Sequence, residues 1–152
     1  MRRPIPSLAV EGVPLDIVDA IGARRSIKTF TSRQPSRREV EQLLDTVTRA
    51  PNHRMTQPWR FYVLGPRARR AYGEALGARK AKRVEEPEAA VAVREKVASE
   101  HEALPAMIGV TIVQNEDPEV REEDYAAAFM GIQNLALAAA ALGLGTHIKT
   151  GA

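Results

Sequence analysis

The stretch from Tyr125 to Leu142, YAAAFMGIQNLALAAAAL, limits the possible folds more than any other part of this chain. Nearly every position is apolar or small, on every face a helix could present. A helix that is hydrophobic all round is either enclosed by protein or lies in a membrane. The run is barely long enough to span a bilayer, and Gln133 and Asn134 interrupt it, which argues against a membrane span. The reading is a helix buried in a large core, of a kind that two subunits can share. Its alanines let neighbouring helices come close. The preceding chain should wrap this helix, and residues 143–151 lead away from it.

A chain of 152 residues supports one domain with a sizeable core. Aromatic residues are only 5%, so Ala, Val, Leu and Ile must fill the interior. There is no cysteine, which excludes disulfides and thiolate chemistry. The net charge of +3 and pI near 9.5 suit an anionic small ligand as well as nucleic acid. Residues 1–13 hold two prolines and a glycine and read as an irregular arm, with the domain proper at 14–152. The arm has two arginines but no long apolar segment, so no signal peptide is expected and the cytoplasm is the default location.

Local signals then mark out elements. A helix is expected from Pro14 or Leu15 to Gly22, with Leu15, Val18 and Ile21 as its apolar stripe. Past its end come three cations and two hydroxyls within six residues, in Arg24-Arg25-Ser26-Ile27-Lys28-Thr29, then Phe30. Arginine forks onto phosphate, serine donates to it, and lysine adds a point charge. On composition alone, however, this is a solvated basic loop. Ser36 and Glu39 form a capping box that opens a helix through Thr48, with Val40, Leu43, Leu44 and Val47 inward. The polar loop Arg49-Ala50-Pro51-Asn52-His53-Arg54-Met55-Thr56-Gln57-Pro58 follows, and such loops carry function when a scaffold positions them. His53 reads equally well as a plain surface histidine.

Trp59 to Leu64 alternates and is aromatic-rich, a strand ending at Gly65-Pro66. A helix should run from Arg67 to Leu76 with Tyr72 and Leu76 inward, then a charge-rich break from Gly77 to Glu86. Pro87 starts another helix, with Ala90, Val93, Val97 and Leu104 on one stripe and a solvated charged face. Met107 to Val113 is the best candidate for a central strand, and the acids from Glu116 to Asp124 suit the start of the long helix. Gly143-Leu144-Gly145 breaks that helix, and Thr146 to Thr150 alternates as a strand. The three histidines lack metal-ligand spacing, and there is no glycine-rich phosphate loop and no internal repeat.

Three separated pieces together resemble the FMN-dependent nitroreductase family, especially its small single-domain members. They are Arg24 to Phe30, then Ala50-Pro51-Asn52-His53 through Gln57-Pro58-Trp59, then Gly143-Leu144-Gly145 with Lys149-Thr150-Gly151. The match covers nearly all of Asp16 to Ala152 and replaces the plain reading of the arginine stretch. The resemblance implies an α+β fold, with a mostly antiparallel sheet flanked by helices around a long buried central helix. It also implies an obligate homodimer whose interface holds two FMN molecules. By the family pattern Arg24, Arg25 and Ser26 contact the flavin phosphate and ribityl chain. Lys28 stands near N1 and O2, where a cation stabilises the negative charge of reduced flavin. Lys149 and Thr150 hold the phosphate with Ile148 beside them, and Arg49 and His53 reach the flavin from the partner subunit.

This chain departs from the pattern in places. Met55 stands where many members have asparagine, and Lys149 where close relatives have arginine. Members usually continue beyond the position of Ala152 through another strand and a tail that crosses to the partner. The implied activity is electron transfer from NAD(P)H through flavin N5 to a nitroaromatic, quinone or similar small acceptor, by a ping-pong scheme. It needs no catalytic side chain, because the cofactor carries the chemistry. Residues 77–102 are the expected cap over the acceptor. Rival readings are a same-fold dehalogenase or flavin-degrading enzyme, an inert FMN-binding dimer, and a small basic nucleic-acid-binding module.

Overall fold

The structure is a computed structural model and describes residues 16–149. The elements in chain order are α1 (Ile17–Ala23), α2 (Arg37–Thr48), β1 (Trp59–Val63), α3 (Pro66–Ala81), α4 (Pro87–Glu102), β2 (Ile108–Ile112) and α5 (Pro118–Ala141). The two strands pair antiparallel. The Val113 amide donates to the Pro58 carbonyl (2.8 Å) at one end, and the Leu64 amide to Met107 (2.9 Å) at the other. The architecture is therefore α+β, with β2 paired to β1 alone among the described residues. The chain divides into two compact units, taken here one at a time.

The first unit holds α1, α2, α5 and the loop before β1. Both halves of the expected capping box are made on α2: Ser36 Oγ accepts from the Glu39 amide (3.2 Å), and Glu39 Oε2 accepts from the Ser36 amide (2.7 Å). Leu43 and Val47 turn inward from α2 onto α5. Contact there is unusually close, because a Cβ on Gly131 would sit 2.5 Å from Val47 Cγ1 and 2.8 Å from the Val47 carbonyl. Asn134 donates to the Thr46 carbonyl (3.3 Å), so this polar interruption of the apolar helix serves as a tie to α2.

The long helix starts earlier than the apolar run suggests. Asp117 caps it by accepting from the Glu119 amide (2.9 Å), and Pro118 opens it, so the acidic residues form its first turns. It ends as expected at Gly143, whose φ of 70° allows the Leu144 amide to reach the Ala139 carbonyl (2.8 Å) and the Gly143 amide to reach Ala140 (3.0 Å). Burial is one-sided in the single chain. Val120, Asp124, Ala127, Ala128, Gly131, Ala136 and Ala139 are buried, while Phe129 is 51% and Met130 43% exposed.

The apolar stripe expected inward on α1 is likewise turned out. Val18 is 71% and Ile21 56% exposed, and Ala20 is the buried residue. The helix is too short to bury more than one small face. Pro14 and Leu15 lie outside the described residues; Asp16 caps α1 by accepting from the Val18 amide (2.8 Å).

The second unit is dominated by the α3–α4 pair. Here the expected break at Gly77 is absent, and α3 continues to Ala81. Gly77 and Gly73 are points of helix contact instead. A Cβ on Gly77 would lie 2.9 Å from Arg94 Cα, and one on Gly73 2.7 Å from the Val97 carbonyl. The two glycines are four residues apart, on one face of the helix. Tyr72 and Leu76 are only half-buried. On α4, Val97 and Ala98 are buried, and Leu104 falls just past the helix end. Buried Arg69 donates to the Glu102 carbonyl at the end of α4 (3.3 and 3.1 Å) and to Leu64 (3.1 Å), a cation set against a helix C-terminus. No helix among the described residues is long and apolar enough to cross a membrane.

Candidate functional site

In the first unit the structure brings two of the three sequence pieces together. Ser26 and Thr146 form an isolated parallel bridge, with the Ile27 amide donating to the Thr146 carbonyl (2.9 Å). Gly145 makes the approach possible, because a Cβ there would be 2.9 Å from Ile27 Cγ1. The expected strand from Thr146 to Thr150 is reduced to this one bridge, with Thr150 outside the described residues. Ser26 alone of the basic stretch is in the bridge, and Arg24, Arg25, Ile27 and Lys28 flank it without regular secondary structure. Arg25 turns back on its own helix end, donating to the carbonyls of Gly22 (2.7 Å) and Arg24 (2.8 Å). Among the described residues, the side chains of Arg24 and Lys28 have no hydrogen-bond or ion-pair partner, and Lys28 and Ser26 are exposed. Two uncommitted cations beside an exposed hydroxyl are what an anionic, phosphate-bearing ligand requires.

The loop between α2 and β1 is the third piece. Arg49 caps α2 and is held by Asp45 (2.8 Å), while His53 is exposed with no side-chain partner among the described residues. The loop is anchored on both sides of Met55. Arg54 pairs with Glu123 (2.9 Å) and Glu119 (3.3 Å), and Thr56 donates to buried Asp124 through a very short hydrogen bond. Asn52 Oδ1 accepts from the Gln57 amide (2.7 Å), which closes the turn. Met55 (φ 51°) and Gln57 (φ 45°) occupy the left-handed region, which side chains of this kind enter at a cost of about 1–2 kcal/mol each. These anchors hold the strained conformation. Asp124 was hidden in the sequence among the acids at the start of the helix. Its place on the buried face with Val120, Ala127, Ala128 and Gly131 is the signal that could have distinguished it.

In the second unit Lys149 lies against α4. Its Nζ is 2.9 Å from Nε2 of His101, which is buried, and His101 Nδ1 lies 2.7 Å from the Val97 carbonyl. The Lys149 side chain as a whole is exposed, yet its amine end is partly withdrawn from water. That withdrawal, with repulsion from Lys80 and a smaller opposing pull from Glu100, holds its pKa below the ordinary lysine value of 10.5. His101 had no signal in the sequence beyond its position in a helix. Ile148 is 46% exposed in the first unit. Among the described residues no group of acids and histidines could hold a metal ion.

Comparison with known proteins shows the family. The Nitroreductase family model matches residues 21–152. YfhC of Bacillus subtilis (strain 168), which carries the name of an NAD(P)H nitroreductase, is 30% identical over 133 residues, covering 88% of this chain and 68% of YfhC. The crystal structure of a nitroreductase-like family protein from Bacillus cereus superposes with a TM-score of 0.74 at 29% identity, covering 94% of this chain and 74% of that one. A protein of Desulfovibrio desulfuricans, crystallised with FMN under the name nitroreductase, gives a TM-score of 0.57 at 26% identity, covering 83% of this chain and 63% of that one. The chain thus spans between roughly three fifths and three quarters of the length of these relatives. With the matching model extending over most of its length, this chain belongs to the nitroreductase family.

Proposed function

We propose that this chain is a cytoplasmic FMN-dependent oxidoreductase that takes electrons from NAD(P)H and passes them to a small acceptor such as a nitroaromatic or a quinone. The observation that carries the reading is the Ser26–Thr146 bridge, which sets Arg24, Ser26 and Lys28 beside the glycine-bounded segment after α5. FMN, when bound, supplies the redox chemistry at its N5 atom, in alternating reduction by nucleotide and oxidation by acceptor. The protein's share is binding and charge. Arg24, Arg25 and Ser26 hold the phosphate and ribityl chain, and Lys28 supplies positive charge near N1 and O2, where reduction leaves negative charge. Lys149 and Thr150 add to the hold on the phosphate, with Ile148 beside them. Arg49 and His53 act across a homodimer interface, with the outward apolar faces of α1 and α5 as its core. Nucleic acid is disfavoured as a partner, because Arg37, Arg54 and Arg70 are each engaged by carboxylates of the chain itself.

The decisive measurement is an absorbance spectrum of the purified protein with FMN, before and after anaerobic NADPH or NADH. Bound flavin should bleach, and its colour should return when a nitroaromatic or quinone is added. Bound flavin that never bleaches would establish an inert binding dimer, and recovery only with a halogenated aromatic would establish a dehalogenase. A colourless protein that rejects FMN defeats the proposal outright.

A pH dependence follows from Lys149. Its lowered pKa means that its positive charge, and its share of anion binding, is lost as pH rises through a value below 10.5. FMN affinity should therefore decline between neutral pH and 10.5. The Lys149→Arg variant should resist that decline, since arginine keeps its charge throughout. Equal decline in both proteins would remove Lys149 from the phosphate contacts.

A further inference from the structure

The one buried histidine in the described chain is not among the expected flavin contacts, yet it is pinned on every side. His101 is 5% exposed, the Tyr72 ring lies 5.4 Å away and tilted by 50°, and Gly73 packs so closely that a Cβ there would lie 2.9 Å from His101 Cβ. Its Nδ1 faces the Val97 carbonyl at 2.7 Å. A carbonyl only accepts, so Nδ1 carries the proton. The other ring nitrogen, Nε2, faces the Lys149 amine at 2.9 Å. An ammonium only donates, so Nε2 must present a lone pair and the imidazole must be neutral. Among the described residues, the charges that act on Lys149 are Lys80 on α3 and Glu100 on α4. Neither is positioned as the acceptor that Lys149 uses.

We infer that His101 is the positioning residue for Lys149: a fixed neutral imidazole takes one of the three ammonium hydrogens and leaves two directed to an incoming phosphate group. This rests on the reading of Lys149 as an FMN phosphate contact. A lysine reaches a ligand on a long flexible stem, and immobilising it on binding costs side-chain entropy. An acceptor locked by α3 and α4 meets part of that cost before the ligand arrives, which is the physical meaning of preorganisation. An arginine would bring that rigidity with its own planar fork; for a lysine, the histidine supplies it.

The test combines NMR with a double-mutant cycle on the full-length chain. Two-bond nitrogen–proton correlations of the His101 ring at neutral pH should show protonated Nδ1 and unprotonated Nε2. His101→Phe, which keeps a ring against Tyr72 but has no acceptor, should weaken FMN binding about tenfold, the scale of one hydrogen bond to a charged group. His101→Gln, whose Oε1 can accept from Lys149, should restore most of that affinity. In a Lys149→Met background, His101→Phe should cause no further loss. A protonated Nε2 in the unmodified protein overturns the inference, as does an equal loss from His101→Phe in both backgrounds, which marks a purely structural role. Unchanged FMN affinity in Lys149→Met alone overturns the phosphate reading of Lys149 and the positioning role with it. The NMR result then still reports whether the contact exists, so the two failures are distinguishable.

Discussion

Gly131→Leu is expected to destabilise the protein by about 3 kcal/mol or more, the upper range for overpacking a filled site. At this chain length that corresponds to a fall in Tm of roughly 6–12 °C. The reason lies in what surrounds the missing side chain. Even the Cβ of alanine would stand 2.5 Å from Val47 Cγ1 and 2.8 Å from the Val47 carbonyl. Val47 is fully buried, and the neighbouring Thr46 carbonyl accepts from Asn134, so α2 has no room to retreat without losing both its packing and its tie to α5. Gly131→Ala should already be measurably unstable. Gly22→Ala serves as the control, because nothing lies within 4 Å of a Cβ there and a helical alanine is favoured over glycine by about 1 kcal/mol. Thermal melts of the three variants decide the matter. A Gly131→Ala protein that melts with the unmodified one would mean that α2 and α5 do not approach as described.

The second large effect concerns the outward faces. Phe129→Asp is expected to weaken self-association by about a hundredfold or more, since an unpaired carboxylate in a dry interface costs several kcal/mol. Phe129, Met130 and Tyr125 on α5 and Ile17, Val18 and Ile21 on α1 are all large, apolar and exposed in the single chain. Such a cluster on helices that already pack against each other is what a second copy would cover. Because Phe129 is half exposed before association, the variant should keep its helical content while sedimenting as a monomer. Its FMN affinity should fall as well, if Arg49 and His53 act from the partner. Val91→Asp is the comparison: Val91 is 65% exposed, on α4, and should change neither property. Sedimentation over a range of concentrations tests this directly. An unmodified protein that stays monomeric at tens of micromolar, or a Phe129→Asp variant that associates normally, would remove the proposed interface.

Much of the fold was legible because its signals are local. The Ser36–Glu39 box, the Leu43 and Val47 stripe, the Trp59 strand and the Gly143 stop each depend on residues within a few positions of one another, and the structure contains them all. The candidate site was legible only as motifs. Residues 24–28 and 143–148 could be recognised in the chain, but nothing local shows that Ser26 and Thr146 are bridged or that Gly145 leaves space for Ile27. The misreadings share one cause. Gly77 looked like a break because glycine weakens an isolated helix, and the contact with Arg94 that makes it necessary comes from the next helix. The α1 stripe looked like core because amphipathicity marks an apolar face without saying what covers it.

The amino-acid sequence by itself determined the capped start of α2, the strand that opens at Trp59 and the glycine stop after α5, how apolar the long helix is, and which residue types could meet a phosphate. Backbone propensity, capping and periodicity act over a few residues, so they can be read along the chain. Tertiary structure alone decided that Thr56 anchors to Asp124, that Val47 fills the place of a Gly131 side chain, and that His101 meets Lys149. Those pairs lie far apart in the chain, and only packing, which answers to volume and hydrogen-bond geometry in three dimensions, can choose among the many partners that composition allows.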